Sequence, residues 1–79
     1  MKQNNSDFMT DIKVGDRVEV TALPPYLKTA DPMPMLRSAN LITIGEQGTI
    51  IKANPSGYWS IRFTQGSYLL ESKYFKIIQ

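Results

Sequence analysis

The sequence contains no cysteine and no histidine. The first absence excludes a disulfide and a thiolate metal site. The second removes the side chain whose unperturbed pKa lies nearest neutrality. Together they remove the Ser-His-Asp and Cys-His arrangements of nucleophilic catalysis. Only seven carboxylates are present, scattered along the chain, and none forms an evident pair of the glycosidase or aspartic-protease kind. Chemistry needs a positioned reactive group, and none is found. A non-enzymatic protein with no cofactor and no metal is therefore expected. Charge of one sign is also scarce. Nine Lys and Arg against seven Asp and Glu leave a net +2, and the basic residues are dispersed from Lys2 to Lys76 rather than clustered. Phosphate binding draws on clustered Lys and Arg, so no nucleic acid is expected as a partner. No apolar run approaches the roughly 20 residues that span a bilayer, so no membrane insertion is expected. Met1–Thr10 has neither the apolar core of a signal peptide nor the Arg-rich character of a transit peptide. A cytoplasmic monomer is the resulting expectation.

What is present reads as one small domain. A chain of 79 residues buries only about 60–65% of its unfolded surface, so its core is thin. Residues 1–11 are polar and predict a disordered extension; residues 12–79 form the domain. Val14-Gly15-Asp16-Arg17-Val18-Glu19-Val20-Thr21 alternates with period two, placing Val14, Val18 and Val20 on one face if Gly15-Asp16 turns or bulges. Leu23 to Leu41 carries four of the five prolines, which remove backbone donors and bias their predecessors away from helix. That stretch is predicted to be a long stiffened loop.

Short strands are predicted at Leu41–Ile44, Thr49–Ala53, Tyr58–Phe63, Tyr68–Leu70 and Phe75–Ile78. A glycine-bounded turn at Gly45–Gly48 and a type I turn at Asn54-Pro55-Ser56-Gly57 separate the first three. Thr64–Ser67 and one helical turn at Glu71–Tyr74 separate the rest. Trp59, Ile61 and Phe63 share one face, expected to be core. The pattern predicts an all-β fold: a small SH3-like barrel of about five short strands with a long Pro/Met-rich first loop. Gly45-x-x-Gly48 lacks the Gly-Lys-Ser/Thr ending of a phosphate loop and reads as turn geometry.

The first loop holds the candidate binding residues. Met33, Met35 and Leu36 either fold back as a lid over the barrel end or face outward as anchors for a partner. Fully burying one such side chain contributes roughly 1.5–3 kcal/mol, and prolines reduce the ordering cost by stiffening the loop beforehand. In the outward reading Pro25, Tyr26, Met33, Met35 and Leu36 make contact, while Lys28, Asp31 and Arg37 form a polar rim. Tyr58 and Arg62 lie on the outer face of their strand and make a second candidate contact.

Gly15-Asp16-Arg17-Val18 and the string from Ala22 to Arg37 resemble the SipA family of cyanobacteria. Gly45-Glu46-x-Gly48, Gly57-Tyr58-Trp59-x-Ile61-Arg62-Phe63 and Gly66–Tyr74 are similar to the same family, so the resemblance runs from Val14 to Ile78. It implies an SH3-like barrel that binds the ATP-binding catalytic domain of the sensor histidine kinase NblS and stimulates its autophosphorylation in stress and high-light signalling. The resemblance assigns no contact residues, so the choice of loop residues rests on their physical character alone. Two other readings stand beside it. One is an SH3-like docking subunit of a photosynthetic electron-transfer complex, the other a small nucleic-acid-binding barrel in which Tyr58 and Arg62 would supply the stacking platform.

Overall fold

Alternation in Arg17–Val20 sets the first strand: Val18 and Val20 are buried while Arg17 and Glu19 face outward. The structure, a computed structural model, describes residues 12–78. The extension expected at residues 1–11 lies outside the described residues. Seven strands follow one another: β1 (Arg17–Val20), β2 (Tyr26–Thr29), β3 (Leu36–Ser38), β4 (Gln47–Ala53), β5 (Tyr58–Phe63), β6 (Gly66–Glu71) and β7 (Phe75–Ile77). Every pairing is antiparallel, and the order across the sheet is β3-β2-β6-β5-β4-β1-β7. Among the described residues there is no α-helix.

The core follows from the two-residue period. Leu27 of β2, Ile50 of β4, Ile61 and Phe63 of β5, Tyr68 and Leu70 of β6 and Phe75 of β7 join Val18 and Val20 in one cluster. Ile42 enters it from the connection before β4. Trp59 packs at its margin, only partly buried. No helical layer covers this face, so the sheet must bend over its own core to bury it. The bend is helped by a bulge at Ile51, where the β4–β5 register slips between Ile50 and Lys52. The backbone pairing is that of an open sheet with β3 and β7 as its ends. The all-β class is as expected; a closed barrel is not what the pairing describes.

Four local expectations are corrected. There are seven strands rather than about five, because the stretch from Leu23 to Leu41 is not a featureless loop. It forms a β2–β3 hairpin with Tyr26 opposite Ser38, Leu27 opposite Arg37 and Lys28 opposite Leu36. Its prolines (Pro24, Pro25, Pro32 and Pro34) all fall outside the two strands, so neither ladder loses a donor.

The strand expected at Leu41–Ile44 is absent. Ala39–Leu41 is a 3-10 turn, capped by the Ser38 hydroxyl accepting from the Asn40 N–H, and Gln65 ties the turn down by donating from its side-chain amide to the Leu41 carbonyl. Val14 is exposed rather than on the core face: the expected turn at Gly15, whose φ is 100°, is present, but it leaves Val14 in solvent ahead of β1. At Asn54–Gly57 a type I turn would keep Ser56 at negative φ, yet Ser56 lies at φ 66°, ψ 21°.

Candidate functional site

The outer face of the sheet is built by the residues that alternate with the core. Tyr58 stands opposite Glu71, Ser60 opposite Leu69, and Leu69 opposite Lys28, which sets two side-chain rows across β5, β6 and β2. The Lys28 ammonium lies 4.7 Å from the centroid of the Tyr58 ring, within the range of a cation–π contact. This pair bridges β2 to β5 over Leu69 and divides the face into two adjoining depressions that share Tyr58 and Leu69.

The first depression is a groove between the segment entering β2 and the 3-10 turn at Ser72–Tyr74. Its walls are Pro24, Pro25, Tyr26, Tyr58 and Tyr74. The backbone fixes this arrangement. The carbonyl of Tyr74 accepts hydrogen bonds from the N–H groups of Thr21 (2.8 Å) and Ala22 (3.3 Å), which holds the two prolines that follow beside the tyrosine. The second depression is bounded by Asp31, Pro32 and Pro34 on one side and by Lys52, Asn54 and Pro55 on the other. Its floor includes Ser60, buried but satisfied by the Asn54 side-chain amide at 2.8 Å.

The loop of the β2–β3 hairpin supplies Asp31, Pro32 and Pro34 to the second depression. Thr29 closes the connecting loop twice: its N–H donates to the Met35 carbonyl at 2.9 Å, and its hydroxyl accepts from the Met35 N–H at 2.9 Å. The loop is thus held in shape while its apolar residues stay in solvent. Met33 is 82% exposed, Met35 59%, Leu36 63% and Tyr26 50%. The lid arrangement is therefore not adopted; these side chains face outward. β3 is an end strand with all three residues exposed, so its outer backbone edge is open to an added strand.

The residues singled out in the sequence separate into four places. Pro25, Tyr26, Lys28 and Tyr58 come together around the first groove, and Asp31 joins Tyr58 at the second. Met33, Met35, Leu36 and Arg37 crown the hairpin. Arg62 stands apart. It lies four residues along β5 from Tyr58, roughly 13 Å at strand rise, and it faces Thr49 and Ser67 rather than either depression. The expected Tyr58–Arg62 pair is thus not a single contact.

Sequence reasoning missed Glu71, Leu69 and Tyr74 as members of the groove. The signal for Leu69 and Glu71 is the outward phase of β6, legible only once its register against β5 is known; Tyr74 lies in the following 3-10 turn and reaches the groove through the hydrogen bonds of Thr21 and Ala22 to its carbonyl. Among the described residues there is one ion pair, Lys73 to Glu71 at 3.8 Å and largely exposed, a geometry that contributes little to stability. No cluster of metal-ligating side chains is found among the described residues. Among the described residues no helix is long and apolar enough to cross a membrane.

Comparison with known proteins corrects the resemblance drawn from the sequence. Residues 14–75 match the family model described as Protein CHLORORESPIRATORY REDUCTION 42-like. A relative from Arabidopsis thaliana, Protein CHLORORESPIRATORY REDUCTION 42, chloroplastic, is 36% identical over 69 residues, which is 86% of this chain and 57% of the relative. This chain therefore spans a little over half of that relative's length. No solved structure matches.

These matches fall on the stretch that resembled the SipA family and overturn that assignment. The sensor histidine kinase partner and the signalling role inferred from it fall with it, and the cytoplasmic setting expected from the character of Met1–Thr10 is corrected as well, since the relative is a chloroplastic plant protein. The physical reason is visible in the quoted strings. Val18, Ile61, Phe63 and Leu70 are core, and Gly15, Gly45 and Gly57 occupy positive φ. Such positions answer to packing and turn geometry, which unrelated functions share. By both the extent of the family match and the identity to the relative, the chain belongs to the CRR42-like family.

Proposed function

We propose that this protein is a non-catalytic docking domain serving a photosynthetic electron-transfer complex, with the β2–β3 hairpin as its principal contact. The observation that carries the reading is the outward display of Met33, Met35 and Leu36 at the apex of a hairpin whose loop is locked at its base by Thr29. Exposed apolar side chains gathered in one place mark interaction surfaces. Methionine adapts to a partner's contours, and a loop already fixed by prolines and two Thr29 hydrogen bonds loses little entropy on binding. Lys28, Asp31 and Arg37 flank the patch and would orient the partner.

The setting comes from the relative. That protein is named for chlororespiratory reduction, and reduction is electron transfer. This agrees with the docking-subunit reading of the sequence. The absence of histidine and cysteine from the chain supports a role through contact rather than chemistry.

The reading is tested in cells lacking this protein by following electron entry into the photosynthetic chain in darkness through chlorophyll fluorescence. Loss of that signal, restored by the wild-type chain and not by a Met33→Asp, Met35→Asp variant that still accumulates, is the expected result. An unchanged signal in the deletion, or full restoration by the variant, overturns it.

A further inference from the structure

The groove walled by Pro24, Pro25, Tyr26, Tyr58 and Tyr74 is a surface distinct from the hairpin apex, and it is rich in side chains able to donate a hydrogen bond. Three phenol hydroxyls and the Lys28 ammonium are donors on its lining. Among the described residues none of those three hydroxyls has a hydrogen-bond partner. The lining side chain that can only accept is the carboxylate of Glu71, held by Lys73 through a largely exposed contact at 3.8 Å. The remainder of the wall is aromatic ring and pyrrolidine.

A complementary ligand must offer flat apolar surface, many acceptors, few donors, and one cation. A polyproline II segment has this character. Proline carries no N–H. The extended helix makes no internal hydrogen bonds, so its carbonyls remain free to accept. Its stiffness before binding lowers the entropic cost, which is why aromatic-lined grooves select such segments. We propose that this groove binds a proline-rich peptide segment in the polyproline II conformation, oriented by a Lys or Arg of that segment paired with Glu71. The inference deepens the docking reading and rests on it, by naming the chemistry of a second contact beside the hairpin.

The test is titration of the full chain, isotopically labelled for amide NMR, with a blocked oligoproline of about ten residues carrying one terminal Arg, a length of about 31 Å in this helix. A Gly/Ser peptide of equal length and charge serves as control. Saturable shifts at Tyr26, Lys28, Tyr58 and Leu69–Tyr74, with the Gly/Ser peptide at least tenfold weaker, are expected. Tyr26→Phe and Tyr74→Phe keep the walls and remove a donor each. Each variant is expected to bind about fivefold more weakly, the factor that one net hydrogen bond of about 1 kcal/mol supplies. Glu71→Gln is expected to abolish the preference for the Arg-bearing peptide over plain oligoproline.

Absence of saturation at millimolar peptide, equal binding of the Gly/Ser peptide, or shifts confined to Met33–Leu36 would each overturn the assignment. The docking reading is tested separately by the hairpin variants in cells. A silent groove with a functional hairpin therefore sinks this inference alone.

Discussion

Lys28 and Tyr58 are joined across an intervening strand: the ammonium of Lys28 on β2 lies 4.7 Å from the centroid of the Tyr58 ring on β5, passing over Leu69 of β6. The contact separates the two depressions of the outer face and fixes the position of a groove wall. Both side chains are half-buried, which places the pair between an exposed and a desolvated cation–π contact. A double-mutant cycle with Lys28→Met and Tyr58→Leu, read by urea unfolding, is expected to give a coupling of about 0.5–1 kcal/mol. Tyr58→Phe keeps the ring, so it should retain most of that coupling. A coupling near zero would mean that the two residues are neighbours without an energetic link.

Gly48 separates close approach from backbone freedom as a reason for glycine. A Cβ built on Gly48 would lie 2.8 Å from both the Arg62 carbonyl oxygen and the Ile61 Cγ2, and 3.0 Å from the Phe63 Cδ1. Backbone and core atoms cannot give way as the tip of a flexible side chain can. Gly48→Ala is expected to lower stability by about 1–3 kcal/mol through overpacking of β4 against β5. Gly45 has φ +94° and open space around the added carbon, so Gly45→Ala costs only backbone strain, roughly 1 kcal/mol. Equal costs at the two sites, measured by thermal or urea unfolding, would contradict the close-approach argument.

The Ser60 hydroxyl is the one buried polar side chain among the described residues, and the Asn54 side-chain amide donates to it at 2.8 Å. Breaking one side of such a pair costs more than removing both. Asn54→Ala is expected to destabilise by about 1–2 kcal/mol, and Asn54→Ala with Ser60→Ala by less than the sum of the single changes. Strict additivity would show that water replaces the lost partner.

The sequence read alone located the core well and the site partly. Val18, Val20, Ile61 and Phe63 announce themselves by strict alternation, because one face of each strand meets the core and the other meets water. Ile42 fits a strand in sequence, although in the structure it follows a 3-10 turn capped by Ser38 and is buried there. A single buried residue in a short connection has no period to read. The hairpin looks like a loop in sequence because four prolines dominate its composition, whereas strand formation depends on where they fall, and Tyr26–Thr29 is free of them. Tyr58 is legible as an outer-face aromatic, and Tyr26 only as a contact residue of the first loop. Tyr74 and Glu71 became their neighbours only through the pairing of β5 with β6 and the hydrogen bonds of Thr21 and Ala22 to Tyr74. Long-range register of this kind is not encoded in any local pattern. The family assignment failed for a related reason: the strings that carried it are rich in positions that packing and turns dictate.

The hairpin apex offers the sharpest separation of folding from function. Met33 and Met35 touch so little of the protein that a Met33→Asp, Met35→Asp variant is expected to unfold within about 0.5 kcal/mol of the wild type. Leu27, on the same hairpin, is fully buried, and Leu27→Ala is expected to cost about 2–5 kcal/mol. If the hairpin is a docking element, the apex variant loses activity in cells at unchanged stability and abundance. The Leu27 variant loses activity only in proportion to the folded fraction that remains, and lowering the growth temperature should recover part of it. The discriminating measurement is therefore urea unfolding of both variants alongside the dark electron-entry assay. An apex variant that is destabilised by more than 1 kcal/mol would show that the methionines pack against the domain in solution, which would remove the basis for reading them as a contact surface.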